Sequence, residues 1–401
     1  MRIVHVLGYF QPKLGYQEYY LALKQQELGH EVFVVTSDRN YPYPGFKETY
    51  GHILGERFIG AGTFTEKGIK VVRLPCMFEF KDQIFVRGLL RALKEIKPDV
   101  VHVHDEVSQF EIVSFLARVL FKKQLKYRLF LDCHADYINQ SKSLIRRFFF
   151  SLIAKNPVHR WLFQKADGYI GINEGSCRWL SQELGVKLED IHCIPLGVDT
   201  DLFKRDERER SKVRTKLGIK ENDVLIIYTG KIIPIRDLDL LLYAFASLLD
   251  KFKNLRILLV GSGPDFYIKY LQKIIDELKL DSKVILHEFI NKEELPKFFS
   301  AADLAIWPYG FSISIQEAIS TSLPIIINQS DSGDHLIEYE NGLNFPEKDI
   351  EALRKCITLL LENEVLRLEM GKKSRKLVEE RLSWTRIVER TLNLYESHAE
   401  Q

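Results

Sequence analysis

Lys231 and Arg236 stand five residues apart in Thr229-Gly230-Lys231-Ile232-Ile233-Pro234-Ile235-Arg236, between an apolar run and the helical pattern Leu238–Leu249. At the carboxyl edge of a strand such a pair can neutralise a diphosphate, arginine by a bidentate fork and lysine as a point charge. Two cations in an ordinary loop fit the same residues. The stretch Trp307–Asn328, WPYGFSISIQEAISTSLPIIIN, is a second candidate. It reads as a strand end, a loop closed by Pro308 and Gly310, a helix carrying Glu317 in its first turns, and another strand. A helix N-terminus beside a strand's carboxyl end offers free N–H groups and a positive dipole end, which suit an anion. Glu317 on a solvated helix face is the plainer alternative. LRILLVGSGPD ends in Gly261-Ser262-Gly263-Pro264, part of a dinucleotide fingerprint without its third glycine, so a simple nucleotide fits better than NAD.

Three further positions lie in the first half. Gly15 sits in the loop after the first strand, where a glycine lets backbone approach a ligand or simply makes a turn. His134 follows the strand Tyr127–Asp132 and is placed to hydrogen-bond a ligand or a structural partner. His102 and His104 alternate in VVHVHDE. With no third ligand at suitable spacing they read as structural or supporting residues, and no metal site is expected.

The elements that must position these residues alternate along the chain. Short apolar runs interleave with helical patterns from Ile3–Leu7 through Val32–Thr36, Ile69–Leu74, Asp99–Val103, Tyr127–Asp132, Gly168–Gly171 and Ile191–Pro195, with helices over about 84–96, 109–120 and 174–184. The alternation restarts near 224–229, 255–260, 283–287, 303–307 and 324–328. This is the pattern of α/β domains with doubly wound parallel sheets, whose ligands bind at the carboxyl edge. At 401 residues two domains are the default. The charged stretch RDERERSK (205–212) reads as a linker, which gives domains over 1–203 and 204–383 and a last helix over 384–401. Residues 38–68, rich in Tyr, Pro and Gly, read as a long loop suited to acceptor contacts.

Composition excludes several classes. A net charge of +2 does not suit a general nucleic-acid binder. Five dispersed cysteines suggest reduced thiols rather than disulfides or zinc. No run approaches the ~18 apolar residues of a membrane span, and the N-terminus enters a strand at once, so a cytoplasmic protein, soluble or peripheral, is expected. Residues 118–165 hold eleven Lys/Arg against Asp132 and Asp136, and 141–165 contain no acid while interleaving cations with phenylalanines. That segment reads as a basic amphipathic helix for an anionic membrane surface, or as a partly buried helix with solvated cations.

In order along the chain, the Gly15 loop with GHEVFVVTS, then IPLGVDTDLF (194–203), TGKIIPIRDLDLLLYAFASL, LLVGSGPD and QEAISTSLPIII, together resemble the retaining family-4 glycosyltransferases of the GT-B fold. The resemblance implies two Rossmann-like domains facing each other across a cleft, with a nucleotide-diphosphate sugar on the second and the acceptor on the first. It implies Lys231 and Arg236 on the diphosphate and Glu317 on the ribose, with Ser312, Ile313 and Ser314 offering backbone amides to phosphate and sugar. Gly15 and Gly230 then lie at the phosphates, with Gly261 also on the donor and His134 near the transferred sugar. Phe289 and Ile290 fall in the segment that would contact the base. Tyr309 stands where the family's first acidic residue falls, Leu14-Gly15 replaces paired glycines, and Lys231 replaces an arginine. The cations are expected to do a metal's work, with no cofactor beyond the donor. The implied reaction is metal-independent hexosyl transfer to a lipid-linked or growing glycan hydroxyl at the cytoplasmic membrane face. The alternatives are a soluble transferase with a small acceptor and a silent GT-B protein that binds nucleotide-sugar or serves as a partner subunit.

Overall fold

The computed structural model describes every residue except 44, 81–82, 105–106, 136–151, 153 and 398–401. The chain divides into two compact units, residues 1–196 with 387–401, and residues 197–386. Residues 197–203, expected in the first half, belong to the second: the Val198 N–H donates to the Leu382 carbonyl at 2.8 Å and Phe203 is fully buried in that unit's core.

The first unit is built on strands β1 (Arg2–Val6), β2 (Glu31–Ser37), β3 (Gly62–Glu66), β4 (Ile69–Leu74), β5 (Cys76–Phe80), β6 (Gln83–Val86), β7 (Val100–Val103), β8 (Arg128–Cys133), β9 (Gly168–Gly171) and β10 (Ile191–Cys193). Eight of them form one sheet in the order β10-β9-β8-β7-β1-β2-β4-β3, parallel throughout except for β3 on β4. Its central strands are continuous apolar runs because helices cover both faces: Val4, Val6, Val101, Val103 and Leu131 are buried to zero exposure. The helix Trp384–Ser397 runs into this unit, and Tyr395 is fully buried against it.

The second unit carries a six-stranded, wholly parallel sheet in the order β13-β12-β11-β14-β15-β16. Its strands are β11 (Val224–Thr229), β12 (Leu255–Val260), β13 (Val284–His287), β14 (Leu304–Trp307), β15 (Ile325–Asn328) and β16 (Gly342–Phe345). Among the described residues no helix is long and apolar enough to cross a membrane.

Local structure departs from the sequence reading in several places. The expected helix over 84–96 begins only at Leu89; Ile84 and Val86 alternate inward on β6, which pairs antiparallel with β5 as a separate ribbon. The 38–68 loop contains β3 and two one-turn helices, Phe46–Thr49 and Gly51–Leu54. The charged stretch after Phe203 is no linker but the helix Glu207–Lys216, capped by the Asp206 carboxylate, which accepts from the N–H of Arg208 and Glu209. Two of its arginines are structural. Arg210 and Arg214 donate to the carbonyls of Ala301 and pair with Asp303, satisfying the open C-terminal end of the helix Leu295–Ala301. Residues 141–151 and 153 of the basic segment lie outside the described residues; its described end carries the short helix Pro157–Phe163, with Val158 and Trp161 exposed.

Candidate functional site

In the second unit, the candidates gather at the carboxyl ends of β11, β12 and β14. Thr229, the last residue of β11, accepts at its carbonyl from Trp307 Nε1 (2.9 Å) and from Ser314 Oγ (3.0 Å), which locks β14 and the following helix onto the β11 end. That helix, Ile313–Ser320, has Ser312 at its N-cap, but the Ser312 hydroxyl bonds Ser314 Oγ at 2.8 Å and caps no backbone N–H. The Ile315 N–H donates to the Ser312 carbonyl at 3.0 Å, while the Ile313 and Ser314 amides, ahead of it, meet no side-chain cap among the described residues.

Glu317 lies on this helix, one turn in. It is only 6% exposed, and among the described residues its carboxyl makes no hydrogen bond or ion pair. Burial pushes its pKa up to about 7, opposed only by the charge of Lys292. A buried carboxyl without a partner is costly in an empty site, and a ligand hydroxyl pair would relieve it.

Arg236 reaches the loop that precedes this helix. Its Nη1 donates to the carbonyls of Tyr309 (3.0 Å) and Phe311 (3.1 Å), while the Gly310 N–H donates to Asn328 Oδ1 at 2.9 Å. Arg236 thus builds the loop, and among the described residues its Nε and Nη2 form no hydrogen bond. Lys231 is exposed and pairs with no carboxylate among the described residues. Tyr309 enters the site through its backbone carbonyl to Arg236, and Asn328, which sequence reasoning did not single out, fixes the loop from β15.

Gly230 and Gly261 face each other. A Cβ on Gly261 would stand 1.8 Å from the Gly230 carbonyl oxygen, and the φ of Gly261 is +154°. The two loops close backbone to backbone, the Gly230 N–H donating to the Val260 carbonyl (3.0 Å) and the Ile232 N–H to the Ser262 carbonyl (2.9 Å). Gly261 is therefore needed for packing of the loops themselves. Ile290 is buried and Phe289 is 61% exposed just beyond β13.

In the first unit, Gly15 ends the short helix Pro12–Leu14 in a left-handed conformation (φ 65°). Tyr16 beside it hydrogen-bonds Tyr43 (2.7 Å), whose hydroxyl donates to Gln11 Oε1 (3.0 Å), so the glycine loop is tied to the 38–68 segment. His134, just past β8, has 41% of its side chain exposed, and its Nε2 lies 3.7 Å from Asp132 Oδ2.

Asp132 was missed in the sequence, as was the cluster around it. The register of β1 on β7 sets His5 opposite His102, supplying the third imidazole that spacing along the chain did not. His5, His102 and His104 are buried with ring nitrogens within 4.8 Å of one another, close enough for one ion. All three are already engaged in hydrogen bonds. His5 bonds Gln25 Oε1 through Nε2 (2.8 Å) and His104 through Nδ1 (2.8 Å), while His104 Nδ1 donates to Asp132 Oδ2 (2.7 Å). His102 Nδ1 meets the Tyr395 hydroxyl at 2.6 Å. If His5 donates to Gln25, its Nδ1 must accept, and His104 then carries both protons as an imidazolium facing the Asp132 carboxylate. The electrostatics agree. Burial pushes His5 down to about 3. Burial would also lower His104, but the Asp132 charge and hydrogen bond outweigh it and raise its pKa. The cluster reads as a charge-balanced hydrogen-bonded chain beneath His134.

Two Rossmann-like parallel-sheet units are the architecture of the GT-B class. The fold matches that of HepE from Anabaena, determined in complex with UDP, over 99% of this chain and 100% of that one, with a TM-score of 0.74 at 18% identity. It also matches WaaG, a glycosyltransferase involved in lipopolysaccharide biosynthesis, over 98% and 99%, with a TM-score of 0.64 at 16% identity. Residues 18–202 match Glycosyltransferase Family 4 and residues 209–377 match Glycosyl transferases group 1. The chain belongs to the family-4 glycosyltransferases, and it is a glycosyltransferase. Among curated proteins it is similar to the alpha-monoglucosyldiacylglycerol synthase of Acholeplasma laidlawii, 25% identical over 85% of this chain and 83% of that protein.

Proposed function

We propose that the protein transfers a sugar with retention from a nucleotide-diphosphate sugar to a hydroxyl of a lipid-linked acceptor or growing glycan, as a peripheral protein of the cytoplasmic membrane face. The observation that carries the donor reading is Glu317, a buried carboxyl with no hydrogen bond or ion pair among the described residues, set one turn into a helix without a side-chain N-cap. A nucleoside diphosphate satisfies both at once, its ribose hydroxyls donating to the carboxylate and its phosphates accepting from the amides. Lys231 and Arg236 supply positive charge for the leaving diphosphate. Stabilising that charge is the main demand of a front-face displacement, so the chemistry we propose needs no metal. His134 hydrogen-bonds the transferred sugar. The glycolipid synthase of Acholeplasma supports the lipid acceptor, and the basic segment 141–165 supports attraction to an anionic surface.

Thermal unfolding with UDP, GDP, ADP, CMP and TDP tests the donor site. One diphosphate should raise the midpoint of the wild type, by about 2.7 kcal/mol at a hundredfold excess over Kd. Exposed Lys231→Ala should keep the unliganded midpoint and lose most of that gain. No response to any nucleotide would sink the donor reading. Tyr309 at the family's first acidic position favours the silent-binder alternative, which predicts a thermal response without donor turnover; turnover with retained anomeric configuration, read by NMR, excludes it.

A further inference from the structure

Three of the five cysteines, far apart in the sequence, converge at the carboxyl edge of the first unit's sheet. Strand register sets Cys133, Gly171 and Cys193 side by side at the ends of β8, β9 and β10. Register partners on parallel strands carry their side chains on the same face, so the glycine leaves the middle of this row open. Cys177 fills it. It lies in the first turn of the helix Glu174–Leu184, and a Cβ on Gly171 would stand 2.5 Å from its Sγ. Asn173 caps that helix by accepting from the Ser176 N–H at 2.8 Å, which fixes the helix start just past the strand.

The three thiols differ in their surroundings. Cys133 is buried and its Sγ donates to the Ala135 carbonyl at 3.7 Å. Cys177 is half-buried and hydrogen-bonds Cys193, which is exposed. That hydrogen bond, burial and the neighbouring sulfurs raise the Cys177 pKa, so Cys177 keeps its proton while Cys193 meets the solvent. An exposed thiol touching a protonated second thiol is the arrangement of an oxidisable pair, one sulfur to react and one to resolve. The strand has something to gain from a fastening: β10 is three residues long and stands at the end of the sheet, beside β9.

We infer that Cys177 and Cys193 form a redox site at which a peroxide closes a reversible disulfide between the helix Glu174–Leu184 and the edge strand β10. The Cys193 sulfur attacks the peroxide, the O–O bond breaks, and Cys193 becomes a sulfenic acid with release of one water. The Cys177 sulfur then attacks the Cys193 sulfur; the S–O bond breaks, the S–S bond forms, and the departing hydroxyl leaves as water with the Cys177 proton. The two thiols together give up two electrons and the peroxide accepts them. A dithiol reductant reverses the change by exchange. Neither thiol is among the donor-site residues, so the inference stands apart from the nucleotide reading.

Treating the full chain with hydrogen peroxide, alkylating the remaining thiols and mapping the peptides by mass spectrometry tests it. The wild type should give a linked peptide pair joining Cys177 to Cys193, lighter by two hydrogens, and should lose it on treatment with dithiothreitol. Cys177→Ser should leave Cys193 as a sulfenic acid that dimedone traps, Cys193→Ser should leave Cys177 unoxidised, and Cys133→Ser should form the link as the wild type does. No link in the wild type, a link that uses or requires Cys133, or further oxidation of Cys193 without transfer to Cys177 would each overturn the inference. So would a link found only between two copies, read from a mixture of isotope-labelled and unlabelled protein.

Discussion

Asp132 Oδ2 accepts from His104 Nδ1 at 2.7 Å, both groups buried, 3.7 Å from the Nε2 of His134. Gln17, at the start of the helix Gln17–Glu27, the first α-helix, donates to the same oxygen at 3.1 Å. One carboxylate therefore joins the first helix, β7 and β8 at the sheet's carboxyl edge.

Replacing it should be expensive and should alter pH dependence. Burial alone would raise the Asp132 pKa, but His104 and His102 outweigh it and hold it well below the usual carboxylate range. That contribution is present above the unfolded value near ~3.9 and is lost on acidification. His104 is raised, so its contribution is full below ~6.5 and is lost as pH rises through the folded value. Asp132→Asn should cost about 3–5 kcal/mol at pH 6 and flatten the decline above pH ~6.5. Urea unfolding between pH 5 and 9 measures both; a variant with the wild-type pH profile would refute the ion-pair assignment.

Glu317 has the opposite signature to Asp132. Its pKa rises from 4.5 to about 7, so the folded state holds its proton more tightly than the unfolded chain. Stability from this group is full below about 4.5 and disappears as pH rises through about 7, an effect of up to about 3 kcal/mol. Glu317→Gln should thus be more stable than the wild type at pH 8, while its nucleotide response drops. Glu18 titrates in the same range, so the difference between variant and wild type is the quantity to read. Equal stabilities at pH 8 would show that the carboxyl is not desolvated.

Arg236 has two jobs that can be separated. Arg236→Ala strips the Tyr309 and Phe311 carbonyls of their donor and should cost about 1–3 kcal/mol in stability as well as nucleotide affinity. Arg236→Lys keeps a charge but not the fork, and should recover part of the affinity with less of the loop order. Calorimetric titration beside thermal unfolding distinguishes them. If both variants bind nucleotide as the wild type does, the guanidinium serves only the loop.

Much of the frame was legible because parallel strands buried on both faces leave continuous apolar runs: β11, β12, β14 and β15 fall where those runs lie. Glu317 and Arg236 were singled out because each lies within about ten residues after the end of a strand. The Asp132 cluster was not, since His5 and His104 are 99 residues apart and meet only through strand register. Gly261 was read for a ligand, whereas its close neighbour is the Gly230 carbonyl. Charge misled at 205–212, because Arg210 looks solvated in sequence and, with Arg214 just beyond the stretch, spends its donors on the carbonyl end of another helix.

Tyr395 sets the order in which the chain can finish folding. Its hydroxyl meets His102 across 293 residues, and Arg128 donates to its carbonyl from β8. During synthesis the first ten strands emerge long before that tyrosine does. The second unit, continuous from Gly197 to Arg386, can close as soon as it leaves the ribosome. The first unit must wait for the helix Trp384–Ser397, which follows the second unit in the chain, so the strands that precede Gly197 are completed after those that come later.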